Sequence, residues 1–150
     1  MVITEEIKSY IDKSILCWLA TSSLDHMPNV SPKEIFNYYG ENEIIIANIA
    51  SPQTVKNIKQ NANVCVSFID VLVQKGFQLK GQAEIIEKNN PDFIEREQLL
   101  LKMTEGKFPF NSIIKITVSS AKPIIAPRYM IYPDTTEQEQ IESAKKAYGF

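Results

Sequence analysis

Ser51-Pro52-Gln53-Thr54 closes an apolar run, Ile44-Ile45-Ile46-Ala47, and opens a helical pattern. A serine can cap a helix, and a proline at the first helical position has its φ pre-set and no N–H to lose. The backbone N–H groups of Gln53 and Thr54 then point out of the helix start without intrahelical partners, and the helix dipole adds partial positive charge there. Thr54 supplies a hydroxyl, Lys56 lies close by, and Lys33 can approach from the preceding strand. This is the chemistry of a phosphate site. The same residues also suit a plain capped helix whose end faces water.

Two neighbouring stretches favour the ligand. Ala47-Asn48-Ile49-Ala50 offers small side chains on which a flat molecule can lie against the backbone. Asn29 to Glu34, "NVSPKE", breaks its strand pattern with a proline beside a lysine, and such a break marks a site more often than a defect. Lys33 beside Glu34 reads as an ion pair before it reads as a catalytic acid. His26, the single histidine, sits next to a turn, and Trp18 reads as core or interface. Arg128, Tyr129 and Tyr132 fall in a loop beyond the last strand, where an aromatic ring could cover a ligand or simply pack. No Ser/His/Asp or Cys/His constellation is visible, so no catalytic residue is assigned.

These candidates belong to a chain of 150 residues, a length that suits one domain, here 1–150 with a C-terminal extension from about 126. The net charge of -2 argues against a nucleic-acid binder, which needs a dense basic surface. Cys17 and Cys65 sit in apolar runs with no CxxC and no nearby histidine, which predicts buried reduced thiols and neither a disulfide framework nor a metal site. The start, "MVITEE", lacks the basic and apolar regions of a signal peptide, and no apolar run approaches the roughly 18 residues of a membrane span. A cytoplasmic protein with no membrane partner is expected.

The elements that must position the site read as follows. Thr4 caps a helix with Ile7, Tyr10, Ile11 and Ile15 on one face. Ile15 to Ala20 is a buried strand, and Ser23-Leu24-Asp25 a turn. Pro28 to Tyr39 is a second strand, in which Pro32 demands an edge or a bulge. Glu43 to Asn48, Val64 to Asp70 and Gly76 to Glu87 are further strands, the last with a bulge or corner at Gly81. Ser51 to Gln60 is a helix; another opens at Asn90-Pro91-Asp92 and runs to about Met103. Ser112 to Ile125 is the sixth strand, ending near Pro123, and Thr136 with Glu139 forms a capping box for a last helix ending near Gly149. Six strands with helices outside fit a small antiparallel barrel, with a two-layer α+β sheet as the rival.

The order of "LATSSLDHMPNVSPKE", "IIIANIASPQTVKNI", "VCVSF" and "GFQLKGQAEII" resembles the pyridoxamine 5'-phosphate oxidase-like family of flavin-binding split barrels over roughly residues 10 to 120. The resemblance implies a mainly β, six-stranded antiparallel split barrel with flanking helices, a homodimer, and one FMN per subunit near the interface. It makes Pro32, Lys33 and Glu34 contacts of the flavin ring, Ala47, Asn48, Ile49 and Ala50 the flavin-facing end of the next strand, and Ser51, Gln53 and Thr54 the phosphate cradle. Asn57 matches an asparagine one turn on, read as structural. The function implied is FMN-dependent oxidoreduction of a small molecule. The alternatives are a flavin-binding or electron-transfer protein with no substrate, a barrel that has lost its flavin, and a related barrel holding heme or a deazaflavin. Two features depart from the oxidase. Its Ser-Arg-Lys run at this helix start is replaced by Ser51-Pro52-Gln53-Thr54, and the C-terminal stretch does not match the arginine-containing segment that grips its substrate phosphate.

Overall fold

A computed structural model describes residues 2–150. The first helix, α1 (Glu5–Lys13), is capped by Thr4, whose hydroxyl accepts from the Ile7 N–H at 3.3 Å. Ile7 and Ile11 are buried, but Ile15 is 77% exposed. The helix ends at Ser14, which turns extended, so the periodicity does not reach Ile15. The first strand, β1 (Cys17–Ser22), starts later than expected and is not buried on both faces. Cys17, Leu19 and Thr21 point inward, while Trp18 is 48% exposed and so is not core.

The stretch expected as one strand from Pro28 to Tyr39 is two, β2 (Pro28–Lys33) and β3 (Phe36–Tyr39), which makes seven strands instead of six. They are followed by β4 (Glu43–Ala47), α2 (Pro52–Gln60), β5 (Asn63–Asp70) and β6 (Lys75–Glu87). Then come α3 (Phe93–Thr104), β7 (Ser112–Ile125), α4 (Pro127–Ile131) and α5 (Glu137–Tyr148). All the strands form one antiparallel sheet in the order β2-β1-β5-β6-β7-β4-β3. Consecutive strands β2 and β3 thus occupy opposite edges. From Lys33 to Phe36 the chain can span only about 11 Å. The sheet must therefore curl until its edges nearly meet, which is the geometry of a split barrel. Pro32 sits on an edge strand, where its missing N–H costs no ladder bond in the sheet interior.

The curl has a local cause in the β6–β7 ladder, where the register shifts between Lys80 and Gly81. A Cβ at Gly81 would lie 2.1 Å from the Thr117 carbonyl oxygen, so only glycine lets the strands approach this closely. Inside the barrel, Leu19, Ile44, Ile46, Val66, Phe68, Leu79, Ile114 and Ile116 form the main core, with Ile7 and Ile11 of α1 packed onto it. Ile45, Ala47 and Ile113 face the other way, onto Phe93 and Leu100 of α3. The continuous apolar run of β4 follows from burial on both faces.

Helix α3 begins at Phe93, after the expected start. Asn90 accepts from the Asp92 N–H at 2.9 Å in a local turn, and the Asp92 carboxylate is drawn to Lys115 at 3.1 Å instead of capping. Arg96 fixes the helix to the sheet through Glu43, with N–O distances of 2.8 to 3.0 Å, and lies 4.0 Å from the centre of the Tyr39 ring. The expected loop at Arg128 to Tyr132 is mostly the short helix α4. The Tyr129 hydroxyl donates to the Val73 carbonyl at 2.7 Å, and Lys75 lies 4.4 Å from the centre of the Tyr129 ring while binding Glu137 at 3.1 Å. Thr136 caps α5 by accepting from the Glu139 N–H, and Gly149 closes it at φ 81°. Among the described residues, no helix is long and apolar enough to cross a membrane.

Candidate functional site

Where the sheet edge β2 meets the end of β4 and the start of α2, the chain encloses a pocket of about 370 Å³. One wall is Ser31, Pro32, Lys33 and Glu34; the other is Ala47, Ile49, Ala50 and Ser51, with Ile35 between them. Its volume lies within the range of small-molecule sites, about 300–1,000 Å³.

Lys33 is the dominant group. It is 7% exposed and, among the described residues, has no carboxylate within 4.0 Å. Burial holds its ammonium below the ordinary lysine value of 10.5. Opposite it on β1, burial pushes the Cys17 thiol up to about 12, so this neighbour brings no negative charge at neutral pH. Cys17 is a buried free thiol as expected, whereas Cys65 is only partly buried. The expected Lys33–Glu34 ion pair does not form: Glu34 lies past the end of β2, in the bend toward β3, and its carboxylate stays more than 4.0 Å from the Lys33 ammonium.

Ser51 precedes α2 as expected, but its side chain does not cap the helix. Its hydroxyl accepts from the Lys33 ammonium and lies 3.1 Å from the Ile49 carbonyl, to which it donates. The Gln53 and Thr54 N–H groups are thus left without a side-chain cap. Ala50 holds the bend before the helix at φ 49°, a left-handed conformation uncommon for a residue with a Cβ. Asn48 is tied to Ser112 through its backbone N–H (3.1 Å) and its side-chain amide (2.8 Å), while its buried Oδ1 has no donor.

Thr54 is 2% exposed, with its hydroxyl 3.4 Å from that of Ser31, and neither it nor Gln53 lines the pocket. The Gln53 side chain is turned back along the helix, donating to Asn57 Oδ1 at 2.8 Å. Asn57 is 1% exposed and donates to Thr21 Oγ1 at 3.0 Å, which supports its structural reading. Thr21 and Ser31 were not expected from sequence; their signal was only the inward phase of β1 and the pocket phase of β2.

Beyond Ser51 a second depression, of about 550 Å³, shares Ala50 and Ser51 with the first. It is lined further by Asn48, Pro52, Val55, Lys56 and Lys59. The other sequence candidates lie elsewhere. His26 is exposed in a turn at φ 63°. Arg128 and Tyr132 line a separate hollow with Asp134, and Tyr129 is turned to Val73.

Comparison with known proteins adds the ancestry. The family model described as pyridoxamine 5'-phosphate oxidase matches residues 3–119. No relative is found among curated proteins. Among solved structures, HupZ of Group A Streptococcus superposes with a TM-score of 0.68 at 24% identity, over 80% of this chain and 92% of that one. An FMN-binding protein from Syntrophomonas wolfei gives 0.68 at 16%, covering 81% and 86%. The heme storage protein HutZ from Vibrio cholerae gives 0.62 at 17%, covering 83% and 95%. At these identities the likeness is one of fold.

Proposed function

Since the chain belongs to the pyridoxamine 5'-phosphate oxidase family, we propose that it is an FMN-binding flavoprotein, an oxidoreductase acting on a small molecule. The observation that carries this reading is Lys33, a buried cation without a carboxylate, facing a pocket beside uncapped helix N–H groups. A buried charge is expensive unless something compensates it. An anionic ligand is the compensation this site lacks, and a phosphate at the α2 end fits both donor sets. The orphaned Oδ1 of Asn48 is a further unmet group beside that end.

In this reading Pro32, Glu34, Ala47, Ile49 and Ala50 hold the ring between the strand edge and the bend. Lys33, Ser51 and the N–H groups of Gln53 and Thr54 hold the phosphate. The flavin itself supplies the redox chemistry, and the protein supplies position and electrostatics. The only histidine is exposed in a turn outside the pocket, which favours flavin over heme.

A second copy of the chain completes the proposal. Trp18, Val30 and Ile69 share the outer face of β1, β2 and β5 and are 48%, 56% and 37% exposed. An apolar face of this kind suits a homodimer packed beside the pocket.

The test is a visible spectrum of the purified protein, then titration of the colourless form with FMN and with riboflavin. FMN should bind much more tightly than riboflavin. Ser51→Asp, which gives Lys33 an internal carboxylate, should erase that preference. Binding of neither flavin would overturn the reading.

A further inference from the structure

The family match ends at residue 119, so α4 and α5 belong to the part of the chain it does not reach. Between these helices lies a hollow of about 530 Å³. It is lined by Arg128 of α4, Tyr132 just past its end, Asp134 and Thr135 of the connecting turn, and Glu139 in the first turn of α5. The Tyr132 N–H donates to the Arg128 carbonyl at 2.8 Å, and the Thr135 N–H donates to the Tyr132 carbonyl at 3.0 Å. Both helices are also tied to one residue of β6, since Lys75 lies against the Tyr129 ring of α4 and binds Glu137 of α5. The spacing across the hollow is therefore set by the backbone and by Lys75, and not by the charges that line it. Those charges do not meet. Among the described residues, no ion pair within 4.0 Å joins Arg128, Asp134 or Glu139 to any partner.

We propose that this hollow binds a small zwitterion, an α-amino acid with an aromatic side chain. A guanidinium and two carboxylates held in one hollow without pairing call for a molecule that carries both signs. The ligand carboxylate takes the Arg128 fork, whose geometry suits two parallel N–H···O bonds. The ligand ammonium lies between Asp134 and Glu139. Tyr132 is 65% exposed, so its ring is free to pack against an aromatic side chain. The same charges reject the simpler ligands. A plain carboxylate meets Arg128 but is repelled by two acids, and a plain amine meets the acids but is repelled by Arg128. The inference does not depend on the flavin reading, because none of these residues lines the pocket at Lys33. Its consequence is local: a molecule spanning the hollow joins α4 to α5 and holds the C-terminal extension closed on itself.

The probes are L-phenylalanine, phenethylamine, which lacks the carboxylate, and 3-phenylpropanoate, which lacks the ammonium. Each is titrated calorimetrically into the purified protein. L-phenylalanine should bind, and each analogue should bind at least about tenfold more weakly, since each loses a charge-assisted contact and keeps a repulsive one. Arg128→Gln should remove the advantage of L-phenylalanine over phenethylamine. Asp134→Asn combined with Glu139→Gln should remove its advantage over 3-phenylpropanoate. FMN affinity should stay within about twofold in both variants, because the residues lie outside the flavin pocket. Amide exchange over residues 128–139 should slow when L-phenylalanine is present. The analogue series uses the unaltered chain, so it decides the matter even where a variant folds poorly. Absence of L-phenylalanine binding at millimolar concentration, equal binding of all three probes, or binding unchanged in both variants overturns the proposal.

Discussion

The Lys33 ammonium donates to the Ser51 hydroxyl, joining the edge strand β2 to the start of α2 across the pocket. This one bond diverts Ser51 from capping and leaves the helix N–H groups exposed to a ligand. It also gives a buried cation a neutral partner only. The free protein therefore carries an electrostatic cost at the place where an anion would remove it.

Lys33→Met should separate binding from stability. Losing a charge-assisted hydrogen bond worth about 1.5–3 kcal/mol predicts a fall in FMN affinity of about ten- to a hundredfold. Because the lysine is buried without a counter-charge, thermal melting of the ligand-free variant should match or exceed wild type. A clear drop in melting temperature would contradict this account of Lys33.

The depressed Lys33 pKa has two pH consequences. Below its folded value the lysine is charged in both states, and the burial penalty is fully present. As pH rises from that value toward the unfolded value of 10.5, the unfolded chain holds more protons and the penalty is relieved, so Lys33 favours folding increasingly. Anion binding runs the other way and should weaken as Lys33 deprotonates, below the pH expected of an ordinary lysine. FMN titrations from pH 7 upward, alongside Lys33→Met, isolate the effect.

Asn57→Ala should destabilise by about 1–3 kcal/mol, because it strands the buried Thr21 hydroxyl and frees Gln53. Urea unfolding measures it. The lost support beneath α2 should also weaken FMN binding more than riboflavin binding.

Gly81→Ala should be severe. The new methyl would sit 2.1 Å from the Thr117 carbonyl, so β6 and β7 must move apart. A loss of about 3 kcal/mol or more is expected by denaturation, well above the usual cost of overpacking, about 1–3 kcal/mol.

Arg96→Ala should cost about 3 kcal/mol by leaving the Glu43 carboxylate with only the more distant Lys115, at 3.9 Å. A double-mutant cycle with Glu43→Gln should recover much of that loss, since the penalty lies in the abandoned charge.

Local chemistry made much of this molecule legible. Gly81 announced the bulge, Thr4 and Thr136 their caps, and the four-segment order the family. What escaped was set by distant partners. Nothing near Pro32 shows that Lys33 and Phe36 belong to opposite edges of one sheet, because that follows from which strands pair across the whole chain. Ser51 read as a cap because its rival, Lys33, lies 18 residues away. The pairing of Arg96 with Glu43 spans 53 residues and leaves no periodic trace. In the site, residue types were readable, but which of them line the pocket was not; the buried Thr54 is the example.

The link between β2 and β3 has a consequence for motion. It bridges the slit in the barrel, and its residues Glu34 and Ile35 line the pocket. Breathing of the slit and widening of the pocket are therefore one movement. A molecule held there acts as a stitch, and amide exchange along both edge strands should slow together when it binds.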